Sequence, residues 1–167
     1  MSSSLDFPGA LKIVTIWCLI GLAVFLGFSA WQRSQSQVYV STLAGGEKTI
    51  SILRNRDGHY YLKAQLNGEM IEFLVDTGAS TTSISLPIAQ QLKLPLHSKA
   101  RFSTANGDVE ADIVLAHLRI ADLLEFKNLR VAAMSAMKNQ ALLGMDVLGK
   151  FSMTQESGVL HLSTLKR

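Results

Sequence analysis

The 167-residue chain carries a single cysteine, Cys18, so no intramolecular disulfide can staple its fold. That cysteine lies in an apolar stretch and gives no information about redox compartment. Histidine is scarce and scattered: His59, His97, His117 and His161 form no metal-ligand spacing and read as surface or strand residues. No run of Lys and Arg is interleaved with aromatics, so the footprint of a nucleic-acid binder is missing. There is no repeat of solenoid period and no low-complexity segment. Charge is also sparse, at 17% of residues with a net +3. After residue 37, 14 Lys plus Arg face 12 Asp plus Glu, spread along the chain. So low a charged fraction, beside 48% hydrophobic residues, excludes a disordered chain and suits one globular domain with a tail or an anchor.

What is present begins with residues 13–31, which contain no charge. As a helix this run rises roughly 28 Å at about 1.5 Å per residue, close to the hydrocarbon thickness of a bilayer. Trp17 and Trp31 stand toward its two ends, where indoles favour the interface, and Lys12 and Arg33 flank it. A cleaved signal peptide is the rival reading, but its apolar region usually spans roughly 7–15 residues. A cut after Ala30 also puts bulky Phe28 where a small residue is wanted. A buried soluble helix fits worse, because the run has no polar face. Lys12 and the α-amino group favour an inside N-terminus, which places residues 38–167 outside the cytoplasm, periplasmic or otherwise extracytoplasmic; Arg33 pulls weakly the other way. The polar residues 32–37 suit a flexible tether. The expected organisation is a tail over 1–12, an anchor over 13–31, a linker with a first strand over 32–47, and a folded domain over 48–167.

The remainder reads as mostly β. Val38–Val40 and Lys48–Leu53 are strand candidates. From His59 to Leu66 the alternation puts Tyr60, Leu62, Ala64 and Leu66 on one face. Asn67-Gly68 then signals a tight hairpin, with Glu69–Val75 as the return strand. Thr81–Leu86 is rich in β-branched residues, and Pro87 suits the first turn of a short helix over Ile88–Leu92. A second Asn-Gly pair, Asn106-Gly107, joins Arg101–Ala105 to a long strand over Asp108–Ile120. Within that strand the apolar phase shifts between Leu115 and Ala116, which predicts a bulge or a change of layer. Phe126–Met134, the run Ala141–Gly144 with a short helical pattern through Leu148, and Val159–Leu162 complete the domain. Many short strands and one or two brief helices indicate an all-β barrel or sandwich.

The residue least explained by packing is Asp76. It ends the apolar run Phe73-Leu74-Val75 and opens Asp76-Thr77-Gly78-Ala79-Ser80, although Asp is rarely buried unless paired. With the Thr104-Ala105-Asn106-Gly107 turn and Ala141-Leu142-Leu143-Gly144, this stretch resembles the retropepsin-like aspartic proteases, and specifically their single-domain, membrane-anchored bacterial branch. The resemblance covers about residues 58–165. It implies a closed β-barrel or sandwich after an N-terminal transmembrane helix, and endopeptidase activity with Asp76 as the catalytic carboxylate. Thr77, Gly78 and Ala79 would support the active-site loop. Gly78 would let the backbone turn sharply and present N–H groups to the carboxylate. Thr104–Gly107 would be the flap over a peptide or protein substrate, with Leu142, Leu143 and Gly144 packed behind the loop. No metal and no cofactor are expected.

Peptide hydrolysis without a metal or a nucleophilic side chain needs a base to activate water and an acid to protonate the amide. Two close carboxylates divide those roles, because like charges at short range cannot both ionise easily and share one proton. The chain holds one Asp-Thr-Gly. Asp108, Asp112 and Asp146 lie in no second such context and read as solvated or capping residues. The dyad therefore calls for a homodimer in which each copy supplies Asp76. A non-catalytic, membrane-anchored β-domain that binds a peptide or partner in the same groove is the alternative, with an adaptor for an envelope complex as a third class. Two departures from retroviral members stand out: Met145 follows the second glycine where a basic residue is common, and the flap has fewer glycines.

Overall fold

The structure, a computed structural model, describes residues 9–33, 38–42, 48–104 and 107–164, with side chains over 11–27, 48–103 and 107–164. The chain divides into two compact units, Met1–Gln35 and Ser36–Arg167. In the first unit α1 (Gly9–Arg33) is a 25-residue helix without an acidic residue in its first turn. Its side chains over residues 11–27 are all exposed, Trp17 at 68% and Phe25 at 67% among them. Among the described residues no helix is long and apolar enough to cross a membrane. The membrane-crossing helix expected over 13–31 is thus not met by the described residues.

The second unit is built from β1 (Val38–Thr42), β2 (Lys48–Leu53), β3 (Tyr61–Leu66), β4 (Glu69–Val75), β5 (Ser83–Ser85), α2 (Leu86–Gln91), β6 (Leu96–Thr104), β7 (Gly107–Ile120), β8 (Leu124–Met134), a 3-10 turn (Ser135–Met137), β9 (Ala141–Leu143), α3 (Met145–Leu148), β10 (Phe151–Glu156) and β11 (Val159–Thr164). The strands form a four-stranded sheet in the order β1-β2-β11-β10 and a seven-stranded sheet in the order β3-β4-β9-β5-β8-β7-β6. In the larger sheet Gln65 and Leu66 of β3 pair with Arg119 and Leu118 of β7. That contact closes six strands into a barrel and leaves β6 outside the closure, carried on the first half of β7.

The alternation of β3 sets the barrel's interior. Leu62, Ala64 and Leu66 are buried together with Phe73, Leu118, Ile120 and Leu143, while Ile50, Ile52, Leu160 and Leu162 of the smaller sheet join the same cluster. Each such Leu, Ile or Phe contributes about 1.5–3 kcal/mol relative to staying exposed. The β3–β4 hairpin turns through Asn67 and Gly68 at φ 50° and 90°, both left-handed, as a two-residue turn matched to strand twist requires.

Several boundaries differ from expectation for identifiable reasons. α2 begins at Leu86 and not Ile88, because the Ser85 side chain accepts from the Ile88 N–H and caps it. Claiming Ser85 as a cap also shortens β5 to Ser83–Ser85. The phase shift in β7 falls at Ile113/Val114, both buried, and not at Leu115/Ala116. Ala111 and Ile113 pack in a small cluster with Ala132 and Met134, whereas Val114, Ala116, Leu118 and Ile120 enter the main core. The register irregularity against β8 lies between Ala116 and Leu118. β10 was not anticipated; it pairs with β11 through the Ser157-Gly158 turn.

Candidate active site

Asp76 follows the last residue of β4, and two neighbouring strands fix where that strand ends. Leu74 and Val75 pair in parallel with Leu142 and Leu143 of β9. The Asp76 N–H then donates to the Leu143 carbonyl at 3.1 Å, so the β4–β9 ladder continues into the loop. Asp76 is half-buried, and Thr77 and Gly78 are exposed. The Gly78 N–H donates to Asp76 Oδ1 at 2.9 Å, and the Ala79 N–H donates to the Asp76 carbonyl at 3.3 Å. One carboxylate oxygen is therefore oriented by its own loop.

The return path of the loop is held by the segment after β9. The Met145 N–H donates to the Ala79 carbonyl at 2.8 Å, and the Asp146 N–H to the Ser80 carbonyl at 3.2 Å. The Asp146 carboxylate accepts from the Thr82 N–H on both oxygens at 3.0 Å, and from the Thr82 hydroxyl at 2.8 Å. It also accepts from the Val147 N–H at 3.0 Å. The Thr82 hydroxyl in turn accepts from the Gly144 N–H at 3.2 Å, and the Thr82 carbonyl accepts from the Ala132 N–H at 3.0 Å. Every polar atom of this fully buried threonine has a partner, as burial demands. Gly144 is required by contact: a Cβ there would sit 2.5 Å from the Thr81 carbonyl carbon and 2.8 Å from the Thr82 nitrogen.

The structure thus brings Asp76, Thr77, Gly78 and Ala79 together with Leu142, Leu143 and Gly144. It also adds Ser80, Thr82 and Asp146, which sequence reasoning had not placed in the site. By its sequence context Asp146 reads as a solvated or capping residue. It does bond within the first turn of α3, but its main partner is Thr82. No local signal marks a pair 64 residues apart. Of the expected flap residues, Thr104 and Gly107 pair at the end of the β6–β7 hairpin. Ala105 and Asn106 lie outside the described residues. β8 pairs with β7 only from Asp112 onward, so toward its tip the hairpin is a two-stranded arm.

Beside the loop, Tyr61 of β3 pairs with Leu74. Its hydroxyl donates to Asp57 Oδ2 at 2.6 Å, a bond that raises the phenol to about 12, with burial adding to the effect. The same bond holds the Asp57 carboxyl below its usual value, helped by the His59 N–H. A cleft of about 320 Å³ lined by Ile50, Leu62, Met70 and Arg119, among others, contains no residue of the Asp76 loop. Among the described residues no group of three or more His, Cys, Asp or Glu is placed to hold a metal ion.

A closed barrel that presents a carboxylate at a strand end, in a loop backed by a Leu-Leu-Gly segment, defines a lobe of aspartic-protease type. The family model described as "gag-polyprotein putative aspartyl protease" matches residues 62–150, which span this whole arrangement. A retropepsin-like aspartic protease from Rickettsia conorii is 30% identical, with a TM-score of 0.57, covering 78% of this chain and 95% of that one. An EIAV protease complexed with the inhibitor HBY-793 shares the fold at 20% identity and a TM-score of 0.50, covering 57% of this chain and 89% of that one. An uncharacterized protein of Rickettsia prowazekii is 30% identical over 151 residues, 83% of this chain, and an uncharacterized protein of a Sinorhizobium species is 28% identical over 120 residues, 70% of it. The chain spans 64% and 52% of the lengths of these two relatives. It belongs to the retropepsin-like aspartic proteases.

Proposed function

We propose that the chain is an aspartic endopeptidase working as a homodimer, with Asp76 of each copy forming the catalytic dyad. The observation that carries this reading is the half-buried Asp76 in its pinned loop, in a member of this family with one Asp-Thr-Gly. Two Asp76 carboxylates across a two-fold axis share one proton. The ionised one takes a proton from water as the water oxygen bonds to the scissile carbonyl carbon, while the protonated one gives its proton to the carbonyl oxygen. Collapse of the tetrahedral gem-diol breaks the C–N bond as the amide nitrogen takes the proton of the now-protonated aspartate and one gem-diol hydroxyl gives its proton to the other aspartate. Acid and amine leave, and the dyad again holds one proton. In this reading Thr77, exposed in the single chain, meets the second copy, and the β6–β7 arm serves as the flap over an extended peptide.

The membrane belongs to the same reading. A 25-residue helix whose described apolar side chains are all exposed favours a non-aqueous setting, and the charge-free run over 13–31 supports a single-pass anchor. The β unit would then lie outside the cytoplasm, and tethering would raise its effective concentration for dimerisation. In detergent, the full chain should cleave peptides or itself at mildly acidic pH and sediment as a dimer, and Asp76→Asn should abolish cleavage. Equal cleavage by Asp76→Asn would sink the proposal. A stable monomer without turnover would favour the non-catalytic peptide-binding domain.

A further inference from the structure

We propose that Asp146 is the positioning residue of the Asp76 loop, setting the catalytic carboxylate through Thr82 without touching substrate. The role rests on the peptidase reading above. Four consecutive residues, Leu143 to Asp146, each hold a different point of the loop: Asp76 by its N–H, Thr82 by its hydroxyl, then Ala79 and Ser80 by their carbonyls. Three of these ties are backbone to backbone, and the fourth, from the Gly144 N–H, ends on the Thr82 hydroxyl. The Asp146 carboxylate adds the acceptors that the Thr82 N–H and hydroxyl donate to, and so ties that hydroxyl into the circuit.

Its chemistry matches its partners. Thr82 offers an N–H and an O–H, Val147 offers an N–H, and the N–H of Thr82 lies 3.0 Å from both carboxylate oxygens. Oδ1 lies within bonding distance of all three donors, and Oδ2 shares the Thr82 N–H, so the carboxylate's second oxygen relieves the crowding on the first. The Thr82 hydroxyl must donate to Asp146 if it is to accept from the Gly144 N–H, so removing the carboxylate frees both the Thr82 side chain and the Gly144 amide. An asparagine keeps one acceptor and turns an NH2 toward the threonine, which preserves part of the circuit. Thr82 is six residues from Asp76, and Gly144 adjoins the Leu143 carbonyl that takes the Asp76 N–H. A displacement there passes to the carboxylate from both ends of the loop.

The test compares three variants of the full chain at protein concentrations where the dimer is saturated. Asp146→Ala should lower kcat about 100-fold, the scale of a roughly 1 Å misplacement, with KM within about 3-fold of the parent. Asp146→Asn should recover part of that loss. Leu148→Ala, which empties a buried position of the same short helix without altering the circuit, should lose stability yet keep kcat within about 3-fold. Hydrogen exchange supplies a readout independent of turnover: the Thr82 and Gly144 amides should lose protection in Asp146→Ala and keep it in Leu148→Ala. A kcat loss in Leu148→Ala equal to that in Asp146→Ala, or an unchanged kcat in Asp146→Ala, overturns the role. If Asp146→Ala does not fold, Asp146→Asn carries the comparison, with an unchanged kcat again decisive against it. If the parent itself shows no turnover, the peptidase reading fails, and the exchange data alone decide whether Asp146 holds the loop.

Discussion

The Asp76 loop and the β6–β7 arm belong to the same sheet and are held in opposite ways. Between Asp76 and Thr82 the backbone is bonded to β9 and to the residues that follow it, and the half-buried Asp146 carboxylate closes the circuit on the buried Thr82. In the arm, the strands beyond Asp112 have each other as sheet partners, and the Arg101–Glu110 pair spans them at 4.0 Å with both side chains largely exposed. The two hairpins show the same contrast. Asn67 is docked: its N–H donates to the His117 carbonyl, and its Oδ1 accepts from the His117 N–H at 2.7 Å. At the arm's end Gly107 pairs with Thr104. Under the proposed function the contrast has a reason: a group that aims a proton needs an over-determined backbone, whereas a segment that lets a peptide in and out needs few partners.

The largest effect should come from forcing a Cβ into the pinned region. Gly144→Ala meets backbone at 2.5 Å with no flexible side chain to yield, and should cost ~3 kcal/mol or prevent folding, read from the denaturant midpoint. Gly107→Ala in the arm meets nothing within 4 Å and carries only the strain of φ +102°, so its cost should be about 1 kcal/mol. Equal losses at the two glycines would erase the contrast.

The hairpin turns sharpen the comparison at a smaller scale. Asn67→Ala loses both the left-handed preference and the bond from His117, and should cost about 1–2 kcal/mol by the same measurement. Arg101→Ala, at an exposed pair, should stay within ~0.5 kcal/mol.

A small, pH-dependent effect lies at Tyr61, beside the pinned strand. Its raised phenol contributes stability that is present below pH 10 and lost as pH rises through about 12. Asp57, held low by the same bond, contributes stability present above its ordinary 3.8 and lost as pH falls through its lowered value. The pair is mostly exposed, so each contribution should stay under ~1 kcal/mol. An absorbance titration should show one of the three tyrosines ionising near 12, and Asp57→Asn should bring it back toward 10.

Much of the barrel was legible because it follows from short-range physics. The alternation of Leu62, Ala64 and Leu66 set a buried face, and Asn67-Gly68 set a turn. Asp76 stood out because a carboxylate at the end of an apolar strand has no packing rationale. The short β5 was harder to read, since Ser85 serves the helix after it. β10 is hard to read because its alternation, Phe151-Ser152-Met153-Thr154, holds only two apolar residues before the polar Gln155 and Glu156. The Asp146–Thr82 pair was beyond reach for a different reason. Its partners become neighbours only when β9 slides in beside β4.

What the sequence determined by itself was therefore local: where strands start and turn, which side of each is apolar, and that one Asp-Thr-Gly is present in the chain. Those features depend on backbone sterics and on burial with a period of two, which neighbouring residues encode. The tertiary structure decided that residues 143–146 would hold the Asp76 loop and that the outer half of the β6–β7 hairpin would be left without a third strand. Both depend on which strands close the barrel. That choice is made by packing one shared core, and no single segment carries it.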